Sequence, residues 1–347
     1  MAEQDSNLVR VPTCYATCSI GMNSPASLLE KLDALSAAGF EAIELSFPDL
    51  LAFAKSHLRQ DVSEKGYDSL CTAAEKARKL CDARNLKIAL LQPFANFEGW
   101  PHGSPERSDA FERARGWIRI MEAAGIDTLQ IGSSDAQNIS SSQDDFAGDL
   151  AELADIMAPK GLRIAYENWC WSTHAPTWEN VWQIVKKANR DNIGLCLDTF
   201  QTAGSEWGDP TTSSGLIEDG GLDSASLDRQ FAESMKFLTL TIPKDKIYFL
   251  QLSDAYKMSP PLAKEADVST GLRPRGQWSH DFRPFPLTDG YLPVVSVTKA
   301  VLDTGFRGWF SMEVFDKNEE RKYGNDLGVV AKRGMESIQE LLKEASR

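Results

Sequence analysis

Leu162-Arg163-Ile164-Ala165-Tyr166-Glu167 and Ile193-Gly194-Leu195-Cys196-Leu197-Asp198 are two short apolar runs, each closed by a carboxylate, with a helix-like segment over 177–189 between them. The pattern reads as strand, helix, strand, one βαβ unit of a parallel sheet. Both acids stand at the C-terminal ends of their strands, where α/β barrels build their active sites. A carboxylate at the end of a nearly continuous apolar strand is costly to bury alone, and a cation is the partner that offsets the cost most directly.

Working outward, strands and helices alternate along the whole chain. Strands are expected over 15–20, 41–46 (ending near Glu44), 86–92, 126–132, 247–254 and 308–314. Helices are expected over 25–38, 62–84, 105–124, 143–159, 224–240, 292–304 and 319–344. Ser24 is the expected N-cap of the first helix, and Gly39, Gly125 and Gly305 are C-terminal stops. The last helix carries Gly324 and Gly328, either of which could break it. With the central unit this makes eight βα repeats and predicts an α/β fold, a (β/α)8 TIM barrel in which residues 1–347 form one domain. An open doubly wound sheet lacks its main support, because no GxGxxG follows any strand.

Two connections exceed ordinary turns. Residues 202–223 are rich in Gly, Ser, Thr and acids. Residues 255–290 are rich in Pro and Arg and carry Trp278, Phe282 and Phe285, which predicts an ordered lid over the C-terminal mouth.

A formal charge of -13 over 347 residues argues against nucleic-acid binding, which draws most of its affinity from phosphate contacts on a basic face. The first six residues have neither a basic nor an apolar region of the kind that marks a secretory leader, and no apolar run approaches the roughly 18 residues that span a bilayer. The six cysteines lack CxxC spacing, and Cys18 and Cys196 fall in strand-like runs. Together these features predict reduced, mostly buried thiols in a cytoplasmic protein without membrane or nucleic-acid partners, with a homo-oligomer left open.

The polar residues at the ends of the last four strands are Glu167, Asp198, Gln251 (with Asp254 beyond it) and Glu313. In a closed barrel these ends converge on one mouth. Three carboxylates and one amide oxygen form a hard donor set, suited to one divalent ion: Mg, Mn or Co first, and Zn after them.

Glu, Asp, Gln or His, and Glu on strands five to eight is the metal quartet of the xylose-isomerase-like barrel superfamily, and the chain resembles that superfamily in further motifs. Leu91-Gln92-Pro93-Phe94 with Phe97-Glu98-Gly99 is similar to the strand-three loop of its dehydratase branch. The run from Leu197 through Gly204, followed by Asp209-Pro210-Thr211, resembles the fungal 3-dehydroshikimate dehydratases of quinate catabolism. So do Gln251-Leu252-Ser253-Asp254-Ala255, Arg283-Pro284-Phe285-Pro286 and Gly290-Tyr291-Leu292-Pro293.

The resemblance implies a metal-dependent carbon-oxygen lyase that converts 3-dehydroshikimate to protocatechuate and water, acting on a small anionic polyhydroxylated ketone. A sugar isomerase or epimerase on the same barrel is the alternative. Its relatives often place a histidine ligand on strand seven, where this chain has Gln251. Acid-base chemistry needs a group outside the ligand set. Some bacterial relatives carry histidines where this chain has Trp169 and Gln201, so the expected candidates are His102, His174 and Glu44. Arg283 and Arg275, in the long loop, are the expected partners of a substrate carboxylate, with Gln201 and Trp169 as further substrate contacts.

Overall fold

The computed structural model describes residues 9–22, 24–218, 221 and 223–347. The first six residues, read above for a leader, lie outside the described residues. Eight parallel strands close into a barrel: β1 (Thr13–Ala16), β2 (Ala42–Ser46), β3 (Lys87–Phe94), β4 (Thr128–Gly132), β5 (Arg163–Glu167), β6 (Ile193–Asp198), β7 (Ile247–Leu252) and β9 (Trp309–Met312). The intervening β8 (Phe282–Arg283) lies outside the barrel and pairs antiparallel with β10 (Phe315–Asp316).

Side-chain alternation sorts each strand between two cores. Ile164, Tyr166, Leu195, Leu197, Leu250, Leu252, Phe310 and Met312 belong to the large apolar layer between strands and helices. A separate small cluster of Cys14, Ala42, Ala89, Leu90, Ala165, Cys196 and Phe249 fills the barrel interior. The inward positions closer to the C-terminal mouth are polar. Register places Gly132 against Glu167, Glu167 against Cys196, Asp198 against Gln251, and Gln251 against Ser311. Glu313 follows two residues after Ser311 and so shares its inward parity. The cost of leaving acids inside is met by a shell of hydrogen bonds rather than by apolar packing.

The outer helices are α1 (Leu28–Ala37), α2 (Phe47–Leu58), α3 (Tyr67–Asp82), α4 (Pro105–Ala124), α5 (Gln143–Met157), α6 (Trp178–Ala188), α7 (Thr199–Glu206), α8 (Ser224–Thr241), α9 (Pro274–Asp281), α10 (Val294–Asp303), α11 (Glu319–Tyr323) and α12 (Leu327–Ala345). Three differ from expectation in an instructive way. The stretch read as leading from strand two to a helix at 62 contains α2, which starts directly at the strand end: Ser46 caps it by accepting from the Asp49 N–H, with Pro48 in its first turn. α7 likewise starts at a strand end, with Asp198 as its cap, inside what reads as a loop. The N-cap of α1 is Ser27, in a capping box with Glu30, rather than Ser24. The last helix breaks where expected, at Gly324. The first strand ends at Ala16, so Cys18 sits in a one-turn helix over Thr17–Ser19.

The long segment after β7 is ordered by polar ties. Asp254 Oδ1 accepts from the N–H groups of Ala255 (2.7 Å) and Leu292 (2.9 Å), which pins the two ends of the 255–290 segment together. Pairing of β8 with β10 then carries Arg283 beside Glu313. No helix among the described residues is long and apolar enough to cross a membrane.

Candidate metal centre

Glu167, Asp198 and Glu313 are buried, and each presents a carboxylate oxygen within 4.8 Å of the others. Glu167 Oε2 accepts from Gln130 Nε2 and from Trp169 Nε1 (3.1 Å), while its Oε1 has no partner among the described residues. Asp198 is fixed by its own helix: Oδ1 accepts from the N–H groups of Phe200 (2.6 Å) and Gln201 (3.1 Å), which leaves Oδ2 for Arg283. Glu313 Oε1 accepts from Gln92 Nε2 (3.2 Å) and Gln251 Nε2 (3.0 Å), and Oε2 from Arg283 Nη2 (3.1 Å).

Gln251 takes part through the opposite end of its amide from the one expected. Its Nε2 donates to Glu44 (2.8 Å) and Glu313, and its Oε1 accepts from Cys196 Sγ (3.2 Å). The two ends of an amide are isosteric, and a half-turn of the side chain presents the oxygen instead.

Four buried carboxylates, those of Glu44, Glu167, Asp198 and Glu313, thus face one buried guanidinium. Burial, then the neighbouring acids Glu313 and Asp198, pushes Glu167 well above the usual carboxylate range. Burial raises Glu313 well above it too, against the pull of Arg283, and raises Asp198. Glu44 is pushed up to about 7, again chiefly by burial. Burial pulls on the Arg283 charge, but Asp198 and Glu313 more than offset it. An excess of buried oxygen donors over positive charge, with Glu167 Oε1 and Glu44 Oε1 unpartnered among the described residues, fits a divalent cation. This acidic triad could hold a metal.

Above the acids lies a cavity of about 410 Å³, lined by Glu167, Glu313, Gln92, Gln130, Trp169, Trp171, Gln201, His280 and Arg283 among others. Of the residues singled out from sequence, Glu167, Glu313, Trp169, Gln201 and Arg283 line it, and Asp198 and Gln251 stand directly behind. Gln201 Oε1 is engaged by the Cys170 N–H at 3.0 Å.

The other expectations meet a different placement. His102 sits on the exposed turn before α4, away from the cavity lining. His174 turns outward and stacks on Phe146, ring centres 6.1 Å apart. Glu44 lies one hydrogen bond behind Gln251 without reaching the cavity, where it adds charge to the cluster. Arg275 is bound to the carbonyl oxygens of Gly204 (2.8 Å) and Gly208 (3.2 Å), and Asp209 neutralises it. Arg283 reaches the site but spends its fork on Asp198, Glu313 and Ser253 Oγ (2.8 Å) rather than on open space.

Gln92 and Gln130 are site residues that the strand-end pattern does not single out, though the sequence carries a signal for them. Each is a polar residue at an inward position within an apolar strand: Leu91-Gln92 and Leu129-Gln130-Ile131.

The profile of a family described as xylose isomerase-like TIM barrel matches residues 32–341. A 3-dehydroshikimate dehydratase of Neurospora crassa is 31% identical over 329 residues, 92% of this chain and 89% of that enzyme. A 3-dehydroshikimate dehydratase of Pseudomonas aeruginosa is 32% identical over 290 residues, and the match spans 84% of this chain but only 36% of the bacterial protein. Among solved structures, a fusion of a xylose isomerase-like TIM barrel with 4-hydroxyphenylpyruvate dioxygenase superposes with a TM-score of 0.68 at 26% identity, covering 94% of this chain and 42% of the fusion.

Proposed function

This chain belongs to the xylose isomerase-like TIM barrel family, and we propose that it is a metal-dependent dehydratase that converts 3-dehydroshikimate to protocatechuate and water. The observation that carries the substrate class is the similarity to the Neurospora enzyme along 92% of the chain, which takes in the strand ends and the 255–290 segment together. Fold alone would not support it.

Glu167, Asp198 and Glu313, with the amide of Gln251 turned about, are the residues to hold a divalent cation, and an all-oxygen set favours Mg, Mn or Co over the thiolate-rich sites typical of structural zinc. When bound, that cation supplies Lewis-acid polarisation of the substrate's ketone, which acidifies the neighbouring C–H. The protein's own part is placement. Trp169 and Trp171, stacked on each other with ring centres 5.0 Å apart and planes at 19°, give the cavity an apolar side suited to a six-membered ring. Arg283 fixes Asp198 and Glu313 and offsets part of their mutual repulsion, and Gln130 with Trp169 fixes Glu167. Elimination of the hydroxyl next to the acidified carbon, followed by tautomerisation, yields the aromatic acid without a redox cofactor.

The test is an assay with 3-dehydroshikimate and the three metals, following near-ultraviolet absorbance of the catechol acid. Turnover supports the reading. Conversion of ketoses with no aromatic product in the dehydroshikimate assay would replace it with the isomerase alternative.

A further inference from the structure

We propose that His280, on the lid helix α9, is the residue that receives the substrate's carboxylate and so selects acids over neutral ring ketones; this rests on the dehydratase reading above. Both arginines expected from sequence to hold a carboxylate are committed elsewhere, Arg275 to backbone carbonyls and Asp209, Arg283 to the acid cluster. Among the described residues His280 is the one histidine that lines the cavity, and apart from Arg283 no other side chain lining it can carry positive charge.

Its position is at the rim of the cavity. The cavity wall runs in steps from the acids outward. Glu167 accepts from Trp169 Nε1 at 3.1 Å, Trp169 stacks on Trp171 at 5.0 Å, and Trp171 meets the His280 ring edge-on at 5.8 Å. Glu167 is buried and His280 is exposed at the rim. A ring whose ketone is held at the acid cluster carries its carboxylate two ring positions away, and with Arg283 engaged by the acids His280 is the basic side chain of the lining left to meet it.

The histidine is also oriented for the task. His280 Nδ1 lies 2.7 Å from the Gly276 carbonyl oxygen, so Nδ1 carries the proton there and Nε2 is the nitrogen left for a ligand. Protonated, Nε2 donates to a carboxylate oxygen in a charge-assisted bond. The helix is tied down at its start: Arg273 Nη1 donates to the Trp171 carbonyl oxygen (2.8 Å), and Nη2 to the Asp135 carbonyl oxygen (2.9 Å) and Thr173 Oγ1 (2.8 Å). The rim is therefore built rather than loose.

The experiment measures kcat and KM of wild-type, His280→Gln and His280→Arg proteins on 3-dehydroshikimate and on its methyl ester, in metal-loaded protein of verified melting temperature. The expected result is a KM for the acid raised about tenfold or more in His280→Gln, the loss of one charge-assisted hydrogen bond. The same variant should show little change in kcat and no change in KM for the ester, and His280→Arg should retain the preference for the acid. An unchanged KM in His280→Gln with active wild-type protein overturns the proposal alone. So does a collapse of kcat at unchanged KM, which would make His280 a proton-transfer group. Absence of turnover in wild-type protein overturns the dehydratase reading and this proposal with it.

Discussion

Arg283 Nη2 stands 3.1 Å from Glu313 Oε2 and at the same time bonds Asp198 Oδ2, so one buried guanidinium is shared by acids from two different strand ends. The arginine comes from the segment between β7 and β9, and its backbone is set by pairing of Arg283 with Phe315. The lid and the acid cluster are therefore one electrostatic unit. Removing the cation leaves two buried carboxylates without their neutralising partner, a change that ordinarily costs about 3–5 kcal/mol. Arg283→Met is expected to lower the unfolding free energy of metal-free protein by that order, read as a lower urea midpoint, and added Mg or Mn is expected to recover part of the loss. An unchanged midpoint would mean the acids are neutral without the arginine.

Glu98 makes a separate prediction for pH. Its carboxylate is buried behind the cavity, where Oε1 accepts from the Ser134 N–H (2.7 Å) and Tyr166 Oη (2.8 Å), and burial raises it from the ordinary 4.5 to about 7. A raised folded value means the native state holds the proton more tightly than the unfolded chain. The stabilisation is complete below pH 4.5 and is lost as pH rises through 7. Glu206, half-buried, and Glu319, buried, are also raised to about 7 by desolvation and act in the same direction. Metal-free protein should lose stability from pH 5 to 7 at up to about 1.4 kcal/mol per pH unit for each such group. Glu98→Gln should flatten its share of that slope in urea titrations at several pH values.

Much of this was legible in the sequence. The period of strand and helix predicts the barrel, and four acids or amides at four strand ends predict where they converge. What stayed hidden follows a common rule. α2 and α7 begin at the last residue of a strand, because Ser46 and Asp198 serve as strand end and helix cap at once, and hydrophobic periodicity has no signal for a turn of zero length. Asp198 shows the consequence for function, since one oxygen is spent on the cap and the other faces the site. The roles expected of His102 and His174 rest on loops near the barrel mouth, and that of Arg275 on its place in the long segment after β7. Side-chain direction separates them from His280, and direction is decided by loop packing such as the Phe146–His174 stack.

The wall of the cavity depends on a missing side chain. A Cβ on Gly132 would lie 2.0 Å from Trp169 Cε2, so the indole occupies the space that any larger residue on β4 would need. Gly132→Ala should expel Trp169 from that place, break its bond to Glu167, and cost about 1–3 kcal/mol. Tryptophan fluorescence, melting temperature and metal affinity read the change together. All three should move.

At the other end of the lid, a Cβ on Gly290 would lie 2.1 Å from Asp254 Cγ. Asp254 holds both ends of the 255–290 segment, so Gly290→Ala should loosen that segment as a unit. Limited proteolysis is expected to cut within 255–290 faster than in wild-type protein, and KM for the substrate should rise. Protection equal to wild type would show that the tie is dispensable.

The central claim, a cation held by Glu167, Asp198 and Glu313 in the service of dehydration, is most directly tested by metal depletion and return. Protein stripped with chelator and verified metal-free by elemental analysis would be given 3-dehydroshikimate, first alone and then with Mg, Mn or Co, beside Glu313→Gln treated in the same way. The expected result is no aromatic absorbance without metal, recovery with at least one of the three ions, and none with any ion in the variant. Full turnover by the verified metal-free protein would contradict the claim.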